Sequence, residues 1–304
     1  MAARLLVSFA ALLCALWLPA LARAADGPSW TVQPASVGGG RPYIYLEGVP
    51  GTVLEDRLSV TNPGSKPLTV RLRPADAYNT ETGALAVRGA RQSKGAGTWI
   101  TLAANQVTVP ARTRAEVPFS VTVPPGALPG DHPGAVVAAS GGREAGVRIH
   151  LRVSGPTLAA LTVEDVSLAG GAIRYTLVNR GNTALTPQVT ITADGLLGEL
   201  LRRPPRTLPL ELLPAQRVTL TEKWPGRPSL DSADIRVDAT APGAAASRAT
   251  ASVTFVPWGT VAGVAGALAA TGGALVMLRR RHVRTLAAVT EQTDGERHLA
   301  RSGS

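Results

Sequence analysis

Asp131-His132 sets a carboxylate beside an imidazole, the pairing used in general acid–base catalysis, and Glu55-Asp56 sets two carboxylates side by side. Neither develops into a catalytic constellation. Glu55 and Asp56 fall in an alternating segment, where adjacent side chains leave on opposite faces. No Gly-x-Ser-x-Gly elbow accompanies the histidines, and His and Cys residues do not pair at metal-ligand spacing. The only cysteine, Cys14, lies within the first 24 residues, with no small-residue lipobox before it. Residues 25–304 therefore hold no disulfide, thiolate zinc site or cysteine nucleophile. The expectation is a protein that is not an enzyme and carries no metal or cofactor.

The ends of the chain say where it sits. Residues 1–24 have an early Arg4, an uncharged apolar run from Leu5 to Leu21, and Ala22-Arg23-Ala24. That is the pattern of a secretory signal peptide cleaved after Ala24. Residues 258–278 read WGTVAGVAGALAATGGALVML, 21 residues without a charge, followed by Arg279, Arg280, Arg281, His282 and Arg284. As a helix this segment is about 31 Å long, enough for a hydrocarbon core of about 30 Å. The basic flank assigns 279–304 to the cytoplasm as a short tail, giving a single-pass type I protein in the cell membrane with 25–257 outside. Gly259, Gly263, Ala267 and Ala270 recur at three- and four-residue spacing, a pattern for helix–helix self-association. The alanine- and glycine-rich composition of the whole chain offers a plainer source for the same spacing.

The net charge of +10 suggests a nucleic-acid partner until it is divided. Removing two basic residues in 1–24, and six basic and three acidic in 279–304, leaves 23 basic and 18 acidic in between. In Val147-Arg148-Ile149-His150-Leu151-Arg152-Val153 the basic residues alternate with aliphatics, as on a solvated strand face. No nucleic-acid partner is expected.

Period-two alternation dominates 25–257. It runs through Val117, Phe119, Val121 and Val123, then Ile173, Tyr175 and Leu177, then Val253 and Phe255. Each such strand has one apolar face that an opposing sheet must cover, and Pro and Gly punctuate the runs. The predicted fold class is all-β, with two tandem immunoglobulin-like β-sandwich domains over 25–155 and 156–257. Asp131-His132 then reads as the corner that leads into the core strand at Ala135-Val136-Val137. One phrase is written twice: a strand, Asn-x-Gly, and a strand opening Leu-Thr, at Asn62, Gly64, Leu68 and again at Asn179, Gly181, Leu185. The Asn and Gly suit the left-handed backbone of a tight reversal. A Pro-Ala turn also recurs, at Pro110-Ala111 and Pro214-Ala215.

TVQPAS, GRPYIYLEGVPGTVLEDRLSVTNPGSKPLTVRL, DAYNTETGA, TWITL and VPPGALPGDHPGAVV occur in this order between Trp30 and Val153. In these stretches the chain resembles the peptidoglycan-binding domain of the WxL-interacting proteins, once a bacterial domain of unknown function. Its alanine-, glycine- and arginine-rich composition points to a high-GC Gram-positive type. The resemblance implies a first domain that binds peptidoglycan or another wall polymer, and a surface protein as a further partner. Leu158 to Val256 follows only the general sandwich pattern, so the family's second-domain ligands are not carried over.

If the first domain holds glycan, flat aromatic rings are the expected surface. Tyr43 and Tyr45 share one strand face while Ile44 and Leu46 take the other, so an aliphatic core face leaves the tyrosines exposed. Tyr78, in a loop after Ala75, and Trp99 are the further candidates. The expected function is a membrane-anchored cell-envelope binding protein. The alternative is a chaperone-like accessory subunit that pairs edge strands with an exported protein.

Overall fold

The computed structural model describes residues 30–36, 40–196, 198–228, 231–255, 259 and 262–280. The signal-like segment 1–24, Trp258 and the basic residues after Arg280 lie outside these. The described protein is all-β, as two tandem immunoglobulin-like sandwiches followed by one apolar helix.

The first sandwich contains β1 (Thr31–Pro34), β2 (Ile44–Gly48), β3 (Val53–Asn62), β4 (Leu68–Asn79) and β5 (Leu85–Val87). A four-residue helix, α1 (Ala96–Trp99), leads to β6 (Ile100–Leu102), β7 (Gln106–Val109), β8 (Thr113–Thr122), β9 (Gly130–Ser140) and β10 (Arg143–Val153). One sheet has the order β1-β3-β8-β6; the other runs β2-β10-β9-β4-β5, with β7 also on β4. Only the β2–β10 pair is parallel among these ladders. Leu58 and Val60, Val117, Phe119 and Val121, and Val147, Ile149 and Leu151 are buried at every second position and meet in one core. Each fully buried aliphatic of this kind contributes about 1.5–3 kcal/mol.

The second sandwich contains β11 (Leu161–Ala169), β12 (Ala172–Asn179), β13 (Gln188–Gly195), β14 (Gly198–Thr207), β15 (Arg217–Lys223), β16 (Asp231–Thr240) and β17 (Ser247–Phe255). Its sheets are β11-β12-β15 and β14-β13-β16-β17. Ile173, Tyr175, Leu177, Ile191, Val218, Ile235 and Val237 fill a separate core with Trp224.

The repeated Asn-x-Gly phrase corrects the expectation of a tight, left-handed reversal. β3 and β4 belong to opposite sheets, as do β12 and β13, so each phrase is a corner where the chain crosses the sandwich. Gly64 and Gly181 are not among the residues with positive φ. The asparagines are buried instead, Asn62 at 4% exposure and Asn179 at 1%. Asn62 Nδ2 donates to the carbonyls of Lys66 (2.8 Å), Val109 (3.0 Å) and Pro110 (3.0 Å), and its Oδ1 accepts from Gly64 N at 3.0 Å. Asn179 Nδ2 donates to Thr183 O (2.7 Å) and Leu212 O (3.0 Å), and its Oδ1 accepts from Gly181 N at 2.9 Å. Each amide thus ties its own corner to a chain segment some 33 to 48 residues away. Gly181 is needed for space, because a Cβ there would stand 2.1 Å from Leu158 O. The second corner does not begin a strand at Leu185 as expected; Leu185 makes an isolated bridge to Leu212, and β13 starts after Pro187. The Pro-Ala turns differ by one position, since the left-handed residue is Arg112 (φ 56°) in one and Ala215 (φ 55°) in the other.

Register places the two ends of the second sandwich. Gly195 pairs with Ala233, Asp231 with Phe255, and Ala172 with Lys223, so the β13–β14 hairpin tip and the end of β17 share one end. Leu161 pairs with Asn179 at the other, where Asn182 meets the first sandwich. Beyond β17, α2 (Ala262–Arg280) is 19 residues, about 28 Å long, and long and apolar enough to cross a membrane. Val264, Leu268 and Leu275 are each more than half exposed, so α2 packs no apolar stripe against the sandwiches. Gly259 and Gly263 are open, with no atom within 4 Å of a Cβ built at either.

Candidate functional site

β2 is the terminal strand of its sheet, and its residues alternate as the sequence predicts. Ile44 is fully buried and Leu46 packs partly against the core, whereas Tyr43 is 41% and Tyr45 49% exposed. The Tyr43 ring lies 4.3 Å from the His150 imidazole, tilted by 44°. Tyr45 pairs across the ladder with His150, and its hydroxyl donates to Glu47 Oε2 at 2.6 Å. That hydrogen bond, with burial and the Glu47 charge, raises the phenol pKa above its usual value and keeps the hydroxyl protonated. The result is a two-ring apolar ledge with polar groups at its rim, a surface suited to a sugar face or to an extended chain.

Tyr78 and Trp99 do not join this ledge. Tyr78 lies in β4 and not in a loop, because β4 continues past its pairing with β9 to pair with β5, Tyr78 opposite Ala86. Following the register from Tyr45 through His150 to Pro133, then from Ala135 to Ala75, puts Ala77 and Asn79 on the tyrosine face and Tyr78 on the other. The Arg88 guanidinium stands 4.1 Å above the Tyr78 ring. Trp99, at the end of α1, is partly buried in the core and has its ring 4.8 Å from His132. His132 is not at a corner ahead of the strand as expected: β9 already begins at Gly130, so His132 lies within it opposite Leu151, its Nε2 2.8 Å from Leu128 O.

The ledge borders a polar junction between the sandwiches that sequence reading did not find. The Arg148 guanidinium donates to Glu211 Oε2 at 2.6 Å, and Asn79 bridges Glu211 O (2.8 Å) and Leu213 N (2.8 Å). Thr219 N donates to Glu81 O at 2.7 Å. On the other flank, Asp131 accepts from Arg152 Nε (2.7 Å) and Nη2 (3.0 Å) and from Ala184 N (2.8 Å), while its own amide donates to Asn182 O at 2.7 Å. Asn182 returns a bond to Pro129 O at 2.9 Å. The signal in the sequence was the polar face Arg148, His150, Arg152, which the alternation argument assigned to solvent.

His150 Nδ1 is 3.5 Å from Glu211 Oε1, a contact that becomes an ion pair only when the imidazole is protonated. Burial holds the imidazole pKa below its usual value, Glu211 and Asp131 pull it upward, and Arg148 pushes it further down. A histidine with a depressed folded pKa is a loss on protonation. Stability is therefore full above the unfolded value of about 6.5 and declines as pH falls from there through the folded value. Thermal melts between neutral and mildly acid pH should show this decline, and His150→Gln should flatten it. An unchanged slope in His150→Gln would assign the decline to other groups.

An open groove of about 770 Å³ lies on the other sheet, lined by Glu55, Asp56, Arg57, Glu116 and Ser120 over Phe119. Glu55 lies opposite Ser120 and Asp56 opposite the buried Phe119, so the two carboxylates do leave on opposite faces. Burial pushes the Asp56 pKa up, but hydrogen bonds from Arg41 and the Arg57 amide and both guanidinium charges outweigh it, so the net shift is downward. Asp56 is bonded to Arg41 at 2.9 Å and Glu116 to Arg57 at 3.4 Å. Among the described residues, no group of three or more His, Cys, Asp and Glu is placed to hold a metal ion.

No family model matches the chain, and no curated protein matches it. Solved structures with a similar course of chain include three that contain chaperones. The Pseudomonas aeruginosa CupB2 chaperone is 9% identical with a TM-score of 0.34, covering 71% of this chain and 98% of its own. The class 5 fimbriae chaperone CfaA is 9% identical with a TM-score of 0.40, over 75% of this chain and all of its own. The Salmonella enterica SafA pilin–SafB chaperone complex gives 13% and 0.37, over 76% and 99%. Scores of this size fix neither family nor function.

Proposed function

We propose that this protein is a non-enzymatic, membrane-anchored cell-envelope protein of the WxL-interacting type, which binds peptidoglycan through its first sandwich. The observation that carries the reading is the pair Tyr43 and Tyr45, exposed rings just before and within a terminal strand whose Ile44 is core. Aromatic faces of this kind stack on the apolar faces of sugars. α2 supplies the anchor, with Arg279 and Arg280 at its end as the cytoplasmic flank. The second sandwich is the spacer, because its two ends hold the junction and the path to α2; its strands of eight to ten residues span about 30 Å.

Retention of the detergent-solubilised full chain on washed sacculi tests this. Tyr43→Ala/Tyr45→Ala should reduce retention about 5- to 150-fold, as loss of two stacking contacts predicts. A folded double variant retained like the parent refutes the role of the ledge. A second reading rests on the same strand: β2 has no neighbour on its outer edge among the described strands, so an exported protein can add a strand there. That reading predicts co-purification of one secreted protein and no affinity for sacculi.

A further inference from the structure

We propose that the β13–β14 hairpin tip touches the outer surface of the lipid bilayer through Leu196, giving the second sandwich a second membrane contact besides α2. The inference rests on α2 being the membrane span. Leu196 is 79% exposed, the most exposed of the large apolar residues the structure describes, and it stands at the apex between Gly195 and Gly198. A lone leucine on a loop is ordinary, but the position of this one is not. Register puts the hairpin tip at the same end of the sheet as Phe255, the last residue of β17.

Only residues 256–261 separate Phe255 from Ala262, where α2 is established, and that stretch reaches at most about 25 Å. In the order β14-β13-β16-β17 the tip stands two to three strands from β17, about 10–14 Å to the side. The tip therefore lies at the sheet end nearest α2, within that tether's reach of the membrane surface. It is also braced: Asp231 Oδ1 accepts from Leu196 N at 3.2 Å and from Ser232 N at 2.7 Å, tying the apex to the start of β16. Clamp and apex approach closely, since a Cβ built on Gly195 would stand 2.7 Å from Asp231 Oδ2. An exposed leucine on a braced apex, within reach of an interface, is suited to insertion among headgroups and upper acyl chains.

The test uses the full chain in vesicles of phosphatidylcholine and phosphatidylglycerol. In a Cys14→Ser background, a polarity-sensitive dye is placed on Leu196→Cys or on Leu128→Cys. Leu128, 75% exposed, is a control in the first sandwich, beside the junction. At Leu196→Cys the dye should emit further to the blue, and aqueous iodide should quench it about threefold less than at Leu128→Cys. Spin-labelled lipid should quench it more. Equal iodide quenching at the two positions overturns the contact. Extraction of the chain by alkaline carbonate would instead show that α2 does not span, and the contact falls with the anchor.

Discussion

Asn179→Ala should destabilise the second sandwich by about 3 kcal/mol, because it removes three hydrogen bonds made by a side chain that is only 1% exposed. The carbonyls of Thr183 and Leu212 lose their donor, and the Gly181 amide loses its acceptor. Buried groups left unpaired in this way cost about 1–3 kcal/mol each, partly recovered by relaxation. Asn179→Asp keeps the acceptor for Gly181 but loses both donor bonds and buries a charge, so it should be no milder. Trp224, 2% exposed in the second core, reports the transition by fluorescence in denaturant. Asn62→Ala should do the same to the first sandwich, with Trp30 and Trp99 as reporters. A loss below about 1 kcal/mol would show that the corner closes without its amide.

Gly130→Ala should open the junction while leaving the first core intact. The Cβ would stand 2.3 Å from Asn182 O, at a backbone φ of 122° that L side chains rarely adopt. Asn182 must withdraw, and with it go the bonds from Asp131 N and to Pro129 O. Together with the strain, these losses amount to about 2–4 kcal/mol against the docked arrangement. In solution scattering the radius of gyration should rise, and unfolding should separate into two transitions. Gly126→Ala is the control, since nothing lies within 4 Å of a Cβ there. Scattering unchanged from the parent would mean that the contacts around Glu211 suffice to hold the sandwiches together.

The cores were legible in the sequence because a strand with one buried face must repeat at two. Val147, Ile149 and Leu151 declare their side, and the same rule exposes Tyr43 and Tyr45 once Ile44 is assigned inward. What the sequence does not show is pairing over distance. Asn62-x-Gly64 looks like a local turn, yet the amide also serves Val109 and Pro110, and no spacing rule links those positions. The junction was hidden for the same reason: Arg148 and Glu211 are 63 residues apart, and Asn79 and Leu213 are 134 apart. Tyr78 followed the turn-forming character of its neighbours Asn79 and Thr80, but pairing with β5 extends the strand through it.

The parallel ladder between β2 and β10 has a mechanical consequence. On the proposed function, a polymer on Tyr43 and Tyr45 would pull on β2, while the chain toward α2 leaves through the end of β10. Load between the two runs along the strands and shears their rungs together, Ile149 against Ile44 through Val153 against Gly48, so they resist as a set. A hairpin loaded from its open end would instead lose its rungs one at a time.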